Sequence, residues 1–322
     1  MNPIEAPARA PWTGRRVLIT GIGGFTGRHL AAELDRRGAR ITGFDLAEPE
    51  KGTPGEFHRI DLLDQTRLAE YLEAARPEVV FHLAALLRSA DPGPFYNANA
   101  GGTAVLLDAV RSTSPRPLVV LLSSGAVYGP STGSTPIAET QPLRPVSHYA
   151  LSKLFQEWIA GWFRDEHGLQ IVTCRPFNLS GPGLPATLST GSFARQIVCA
   201  ERTGSRAVRV GRLGGRRDFV DVRDAVRAYL AVAEKGEPGE TYNICSGESR
   251  SISESLDILV RLARTPIEIE QDPVLSGPGD VDDQVGDPAR LHAATGWEPV
   301  ISFEQSLSDM LDHWRTRADA CG

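Results

Sequence analysis

A tyrosine and a lysine stand four residues apart in a segment with helical periodicity, Tyr149-Ala-Leu-Ser-Lys153. Residues at i and i+4 share one helix face, so the phenol and the ammonium are expected side by side. An ammonium stabilises a phenolate, and we expect the pKa of Tyr149 to fall below its ordinary value of about 10. Tyr149 would then exchange a proton with a carbonyl or carbinol. The spacing also arises by chance, but Lys153 is one of few lysines in this arginine-rich chain.

Two serines follow the apolar run Leu118–Leu122, where a strand is expected to end. Doubly wound folds bind their ligands at the carboxyl ends of the strands. The Ser124 hydroxyl is therefore a candidate to hydrogen-bond a substrate oxygen beside Tyr149. A capping or turn role is the better interpretation of Ser123.

Glycines cluster at the end of the first apolar run. Gly21, Gly24 and Gly27 stand three residues apart, which permits a tight strand-to-helix turn and close approach of the backbone to a pyrophosphate. The N–H groups at the start of the helix, those of Phe25 and Thr26 included, would face that anion. The spacing is a variant of the dinucleotide fingerprint. A glycine turn that binds nothing is the alternative.

Carboxylates follow the second and third expected strands. Asp45 stands where a dinucleotide fold places an acid on the adenosine ribose hydroxyls. A carboxylate there repels a 2′-phosphate, so Asp45 favours NAD(H) over NADP(H); a simple strand-end turn is the alternative. Asp61, followed by Leu62, could place a second carboxylate on the adenine amino group.

The elements that would position these residues alternate between short apolar runs and helical patterns. Strands are expected at 17–20, 40–44, 57–60, 79–83, 118–122 and 170–174, with helices at 25–37, 65–75, 99–110 and 149–166. This alternation predicts right-handed βαβ units. The expected fold class is α/β, a doubly wound parallel sheet (Rossmann) with a smaller mixed α/β C-terminal lobe. The expected boundaries are a flexible tail at 1–13, a dinucleotide-binding domain at 14–175 and an interleaved lobe at 176–318.

The amino-acid composition excludes several classes of protein. The 322 residues are 41 % hydrophobic with a net charge of −6, which excludes predominant disorder and argues against a nucleic-acid protein that uses a broad basic surface. No apolar run approaches the roughly 20 residues of a membrane span. The four cysteines form no C-x-x-C pair and predict neither a metal site nor a disulfide framework. The expected compartment is the cytoplasm.

Together these residues resemble the extended short-chain dehydrogenase/reductase family, also called the NAD-dependent epimerase/dehydratase family, which acts on nucleotide sugars. The second half is most similar to its GDP-4-keto-6-deoxymannose reductases. The matching pieces are Thr20-Gly21 with Gly24 and Gly27, Asp45, Asp61-Leu62, His82-Leu-Ala-Ala85, Asn99 with Gly102-Thr103, Ser123-Ser124, Val127-Tyr-Gly129, Tyr149 with Lys153, Arg175-Pro-Phe-Asn178, Phe193–Ile197, Arg217–Asp224, Asn243–Gly247 and Thr295–Pro299.

The resemblance implies a role for each matching position. Ser124, Tyr149 and Lys153 would be the catalytic triad, and Tyr149 and Lys153 would also contact an NAD(P)H cofactor. The remaining implied cofactor contacts are Gly21, Gly24, Phe25, Thr26, Gly27, Asp45, Asp61, Leu62, Leu83, Ala84, Ala85, Asn99 and Pro176. The implied substrate contacts, besides Ser124 and Tyr149, are Asn178, Arg209 and Arg217. An arginine suits a diphosphate because its fork matches phosphate geometry, although Arg217 could instead pair with Asp218 or Asp221.

Two departures from the family pattern affect the substrate. The reductases carry an arginine in the loop before the C-terminal segment, whereas 272–281 has none, and Leu275 and Gly277 stand in its place. Arg216 with Arg217 could take over the diphosphate, or the substrate differs. The dehydratase branch carries an Asp-Glu pair after its active-site hydroxyl residue, where this chain has Gly125-Ala126. Dehydration is therefore not expected, because it needs an acid to expel the C6 hydroxyl.

The expected function is reduction of a nucleoside-diphosphate 4-keto-6-deoxyhexose, with hydride transfer from NAD(P)H to sugar C4 and Tyr149 as proton donor. A nucleotide-sugar 4-epimerase that retains NAD shares every catalytic residue, and a non-catalytic cofactor-binding regulator or scaffold is the third alternative. The family likeness also predicts a homodimer through the helices that carry Val105, Leu106, Trp158, Ile159 and Trp162; the alternative is that these residues pack on their own sheet, as some of them must. The nucleotide base, the sugar and the product stereochemistry stay open at this stage.

Overall fold

The computed structural model describes residues 12–130, 135–275 and 283–321. The chain divides into two compact units. The described part of the first consists of 12–121 and 158–172, and that of the second consists of 122–130, 135–157, 173–275 and 283–321. The domain boundaries expected at 14–175 and 176–318 stay a prediction, and most of the expected tail lies outside the described residues.

The described residues form fourteen strands: β1 Arg16–Thr20, β2 Arg40–Asp45, β3 Glu56–Arg59, β4 Val79–His82, β5 Leu118–Leu122, β6 Ile171–Pro176, β7 Asn178–Ser180, β8 Ala207–Val210, β9 Arg216–Arg217, β10 Phe219–Asp221, β11 Thr241–Ile244, β12 Arg250–Ser251, β13 Glu268–Gln271 and β14 Asp283–Gln284. They also form ten α-helices: α1 Phe25–Arg36, α2 Gln65–Ala75, α3 Gly93–Phe95, α4 Gly102–Arg111, α5 His148–His167, α6 Ser189–Thr203, α7 Val222–Lys235, α8 Ile252–Arg261, α9 Ala289–Thr295 and α10 Phe303–Thr316. A π-helical stretch, Tyr96–Gly101, joins α3 to α4.

Seven strands make one parallel sheet in the order β3-β2-β1-β4-β5-β6-β11. The order reverses direction between β1 and β4, which is the switch point where doubly wound folds place a ligand. The expected fold class is thereby confirmed. The strand that sequence patterning missed is β11, because its short run is interrupted by Asn243. The Asn243 side chain is buried, and Tyr128 and Ile137 supply its hydrogen-bond partners.

The first unit buries apolar side chains between its strands and helices. Leu18, Val80 and Val119 are fully buried strand residues that belong to one cluster with helix residues Leu72 and Leu106. Helix α2 begins with a side-chain cap from Asp64, which accepts from the Arg67 N–H. The cluster fixes the sheet against its helices, and so it sets where the strand ends and their loops lie.

The second unit contains small sheets beyond β6. β7 pairs with β10, β9 lies between β12 and β14, and β8 pairs with β13. A compact cluster around Val127, Tyr128, Leu154, Phe177 and Cys245 packs beneath the start of α5. Among the described residues, the longest helices are too short or too polar to cross a bilayer.

Candidate active site

The glycine turn of the first unit leaves no space for side chains. Gly21 has a φ of +75°, and a Cβ built there would lie 2.8 Å from the Ala84 nitrogen. A Cβ on Gly27 would overlap the carbonyl oxygens of Gly21 and Ile22. The Gly21 N–H donates to the Phe44 carbonyl at 2.7 Å, which ties the turn to the end of β2. Glycine is therefore required at both positions by local contacts as well as by any ligand.

Helix α1 begins at this turn without a capping side chain. Its N-cap is Gly24, which carries no side-chain oxygen, so the N-cap residue offers no side-chain acceptor to the first N–H groups of Phe25, Thr26 and Gly27. The helix dipole adds a partial positive charge at the same point. The residues present thus fit a diphosphate and not only a plain turn.

Asp45 closes the other side of this turn. Its Oδ2 accepts a hydrogen bond from the Gly23 N–H at 2.9 Å, and its Oδ1 accepts from the Leu46 N–H at 2.7 Å. A partly exposed carboxylate is thereby fixed against the glycine turn, as a ribose-binding acid requires. Gly23 was not among the cofactor residues named from sequence, although it lies inside the glycine cluster.

A buried hydrogen-bond chain links the end of β1 to the end of β4. The Thr103 hydroxyl donates to the Asn99 carbonyl (2.6 Å), so it must accept from the Nε2–H of His82 (2.8 Å). On the other side of the ring, His82 Nδ1 is hydrogen-bonded to the Thr20 hydroxyl (2.7 Å), which accepts from the Ala84 N–H (3.2 Å). The chain holds the segment after β4 next to Gly21.

The other cofactor candidates of the first unit lie on loops. The Asn99 amide bonds the backbone of Leu86. Its Oδ1 accepts from the Leu86 N–H at 2.7 Å, and its Nδ2 donates to the Leu86 carbonyl at 3.1 Å. Asn99 therefore positions the loop that holds Leu83, Ala84 and Ala85. Asp61 is exposed and accepts from the Leu63 N–H at 3.0 Å. Leu62 packs against the core cluster of the unit, in contact with Gly102.

The second unit brings the three catalytic candidates together. Ser124 is the N-cap of a short 3₁₀ turn, Gly125–Tyr128, and accepts from the Ala126 N–H at 3.2 Å. Ser124 also hydrogen-bonds Tyr149, near the start of α5. One turn later Lys153 is almost completely buried and donates from Nζ to the Leu122 carbonyl at the end of β5. Ser123 donates its N–H to Cys174, while its buried hydroxyl has no partner among the described residues.

The electrostatics differ from the expectation for Tyr149. Burial raises its pKa above the ordinary value, and the hydrogen bond with Ser124 only partly opposes this. Burial lowers the pKa of Lys153 to about 7, opposed by the charge of Glu157. The predicted lowering of the Tyr149 pKa by an adjacent ammonium is therefore not seen in this geometry. The lysine is itself desolvated and holds a full charge only below neutral pH.

The substrate candidates gather around β7, β9 and β10. Asn178 donates from Nδ2 to the Asp218 carbonyl at 3.3 Å, which places it beside Arg217. The Arg217 guanidinium folds over Gly215 and donates to the Arg216 carbonyl at 2.8 Å. Arg209 is mostly exposed and pairs with Asp272 at 2.7 Å, outside this group.

The carboxylates near Arg217 are engaged elsewhere. Asp218 accepts from the N–H and hydroxyl of Ser246 and from the N–H groups of Gly247 and Gly286. Asp221 caps α7 and pairs with Arg223 at 2.8 Å. Arg216, which was expected to share a diphosphate with Arg217, donates from Nε to the Ser249 hydroxyl and from Nη2 to the Ser249 carbonyl. Part of the loop without arginine, including Gly277, lies outside the described residues.

Sequence reasoning missed a buried ion pair behind Lys153. Glu157 and Arg175 form a two-fold contact, with Nε–Oε1 at 3.0 Å and Nη2–Oε2 at 2.7 Å. The signal for Glu157 was its place four residues after Lys153. Pro176, the last cofactor candidate, ends β6 next to Arg175. In the described parts of the chain, no three His, Cys, Asp or Glu side chains gather as a metal ion would require.

Comparisons with known proteins show the family to which the chain belongs. Residues 17–245 match the NAD dependent epimerase/dehydratase family. The chain is 35 % identical to a GDP-6-deoxy-D-mannose reductase of Pseudomonas aeruginosa, over 94 % of this chain and 98 % of that protein. The solved structure of RMD from Pseudomonas aeruginosa, complexed with NADPH, superposes with a TM-score of 0.84 at 33 % identity, covering 94 % of this chain and 100 % of that one. A UDP-glucose 4-epimerase of Thermus thermophilus, complexed with NAD, gives a TM-score of 0.85 at 28 % identity, with coverages of 94 % and 100 %.

Proposed function

The chain belongs to the NAD-dependent epimerase/dehydratase family, and from that premise we propose that it is an NAD(P)-dependent 4-ketoreductase of a nucleoside-diphosphate 4-keto-6-deoxyhexose. The observation that carries the proposal is the Ser124–Tyr149 hydrogen bond beside a buried Lys153. The similarity to a reductase of a GDP-6-deoxyhexose over nearly the whole chain supports the substrate class.

The protein groups supply the proton that reduction requires. NAD(P)H, when bound, would supply the hydride for the sugar C4 atom. Tyr149 donates a proton to the oxygen that becomes the alcohol, and Ser124 hydrogen-bonds the same oxygen. A raised pKa keeps the Tyr149 phenol protonated at neutral pH, which suits a proton donor better than a base. Lys153, with a pKa of about 7, would hold the nicotinamide ribose and can return a proton towards Tyr149.

A nucleotide-sugar 4-epimerase is the second candidate, favoured by the similar epimerase structure that is complexed with NAD. An epimerase retains its cofactor and leaves it in the starting oxidation state, whereas a reductase releases oxidised cofactor after each turnover. The non-catalytic alternative fits less well, because the Ser124–Tyr149 contact has no obvious use in a scaffold. Dehydration lacks its acid, since Gly125 and Ala126 follow Ser124.

The cofactor preference proposed is NAD(H) over NADP(H). Its support is the fixed carboxylate of Asp45 at the glycine turn. The similar RMD structure holds NADPH, so the preference is a property to be measured on this chain. Arg217 and Asn178 are the proposed diphosphate contacts, because the Asn178 amide bonds the carbonyl of Asp218, the residue that follows Arg217.

We also propose a homodimer and a cytoplasmic location. Trp158 and Trp162 are 61 % and 54 % exposed on α5, and they line one groove of the first unit with Val105 and Ile159. Exposed indoles of this kind usually mark a partner surface, and a second copy would cover both. The four cysteines are free thiols, as a reducing compartment requires.

The decisive experiment begins with a thermal-shift panel of GDP, dTDP, UDP, CDP and ADP, each with NADH or NADPH. The preferred base stabilises the protein by mass action and selects the 4-keto sugar to be tested. That sugar should then be consumed with one equivalent of oxidised cofactor released. Interconversion of C4 epimers without net oxidation would identify the epimerase instead.

A further inference from the structure

Lys153 has a fixed negative charge one helical turn behind it. Glu157 follows Lys153 by four residues on α5, so both side chains lie on one face of the helix. The Glu157 and Arg175 side chains are only 9 % and 7 % exposed. Both oxygens of the carboxylate bind the guanidinium fork of Arg175, which is the strongest and most specific geometry for such a pair.

Arg175 is held from its other side by a polar network. Its Nη1 donates to the Tyr128 hydroxyl at 2.7 Å, and its guanidinium lies 4.9 Å from the centre of the Tyr128 ring. The Tyr128 hydroxyl donates to Asn243 Oδ1 at 2.8 Å, and Asn243 Nδ2 donates to the Ile137 carbonyl at 2.8 Å. These contacts leave Glu157 with one rigid position relative to α5.

We propose that the Glu157–Arg175 pair is a positioning device for the proposed ketoreductase: it fixes the Glu157 carboxylate behind Lys153 and so favours the protonated form of the lysine. The idea rests on the proposed function only for its kinetic consequence. Glu157 and Arg175 touch neither substrate nor cofactor in this assignment, and they act through Lys153.

The protonation of Lys153 depends mainly on one neighbouring charge, that of Glu157. Burial lowers the pKa of Lys153, and Glu157 is the charge that opposes it. Apart from Arg175, the charged partner of Glu157, the titratable groups on the neighbouring elements are neutral near pH 7, because burial raises their pKa values; these are Tyr128, Tyr149, Cys174 and Tyr229. Glu139 is directed to Arg290 and to the Asn243 N–H.

Stability alone does not explain the pair. Replacing a buried ion pair by apolar residues of similar volume is often neutral or stabilising, whereas removing one partner leaves a costly buried charge. A Glu157→Met/Arg175→Met double variant should therefore fold and lack the negative charge. Arg175→Lys should keep both charges of the pair, and with them most of the effect of the pair on the protonation of Lys153.

The first experiment reads the charge of Lys153 directly. The chain has only the lysines Lys51, Lys153 and Lys235, so ¹³Cε-lysine labelling gives three signals, and the spectrum of Lys153→Met assigns the relevant one. In Glu157→Gln and in the double Met variant, the proton affinity of Lys153 should fall by about tenfold, a shift of about one pH unit in its titration midpoint. An unchanged midpoint in the folded double variant would overturn the proposal.

A matched pair elsewhere in the second unit provides the control. Glu201 and Arg315 form an equally close two-fold contact, at 2.6 and 2.9 Å, with side chains 8 % and 15 % exposed. Glu201→Gln removes a comparable ion pair without touching α5. It should leave the Lys153 midpoint unchanged, and an equal shift there would mean that the effect is general destabilisation.

The second experiment measures the pH profile of kcat/KM with the 4-keto sugar chosen above. The alkaline limb should move to lower pH by about one unit in Glu157→Gln and stay in place in Glu201→Gln and Arg175→Lys. The proposed ketoreductase function and the positioning role of the Glu157–Arg175 pair can be refuted independently. A shifted lysine midpoint without any ketoreductase activity contradicts the proposed function and keeps the positioning role. Normal activity with unshifted midpoints and limbs contradicts the positioning role alone.

Discussion

The Asp45 carboxylate accepts a hydrogen bond from the backbone N–H of Gly23 at 2.9 Å. This contact joins the end of β2 to the glycine turn that precedes α1. It fixes a negative charge beside the N–H groups offered to a diphosphate, at the place where a dinucleotide's adenosine ribose is expected.

Asp45→Asn should narrow the preference for NADH over NADPH. The amide keeps an acceptor for Gly23 but removes the charge that repels a 2′-phosphate, so NADPH affinity should rise by about tenfold relative to NADH. Calorimetric titration of both cofactors measures this ratio. Asp91→Asn, on an exposed loop of the same unit, is the control. Equal cofactor affinities in the unmodified protein would show that Asp45 does not contact the ribose.

Tyr149→Phe should fold and bind NADH, yet lose most turnover. Loss of a positioned general acid typically costs on the order of 10²–10⁴-fold in rate. Tyr71→Phe is the matched control, since that ring packs on Phe44 and His58 in the first unit and should keep normal rates. A Tyr149→Phe variant that turns over the accepted sugar at the original rate would refute the mechanism.

Arg217→Ala should weaken nucleotide-sugar binding by on the order of 10–100-fold, because charge-assisted hydrogen bonds to a phosphate are lost. NADH affinity and the melting temperature should barely change. Arg261→Ala, which removes an exposed ion pair with Glu304, serves as the control. A loss confined to NADH affinity would show that Arg217 belongs to the cofactor site.

Trp158→Glu should convert a homodimer into a monomer. A charge in the centre of the exposed apolar groove on α5 would be buried without a partner on association. Light scattering at micromolar concentration reports the mass. Val300→Glu places a charge on a residue that is 72 % exposed elsewhere and should leave the mass unchanged. A monomer mass for the unmodified protein would exclude the dimer.

Lys153 should make stability depend on pH in a defined window. Its pKa is about 7 in the folded chain and 10.5 ordinarily, so between these values the unfolded chain binds more protons. Stability therefore increases as pH rises through this window and is lost as pH falls towards 7. Denaturant titrations should show Lys153→Met as the more stable protein at pH 7, with the difference narrowing towards pH 10. A difference that is constant with pH would contradict the lowered pKa.

The sequence was sufficient for features that depend on neighbouring residues. Short apolar runs and helical periodicity indicated six of the seven strands of the main sheet, because a buried parallel strand must be apolar on both faces. Glycine spacing and the position of Asp45 indicated the turn that the structure shows. Lys153 and Tyr149 share a helix face because i and i+4 residues always do so.

Contacts between distant residues were decided only by the tertiary structure. Arg175 lies 18 residues from Glu157, and its pairing depends on how β6 packs beside α5. Burial of Tyr149 reversed the expected direction of its pKa shift. Residue spacing shows which charge is near a group, but it does not show how much water is removed from that group on folding. Strand β11 was likewise hidden, since Asn243 is acceptable in a buried strand only where Tyr128 and Ile137 complete its hydrogen bonds. Sequence alone thus indicates the chemical groups, whereas desolvation and long-range pairing set their charge states.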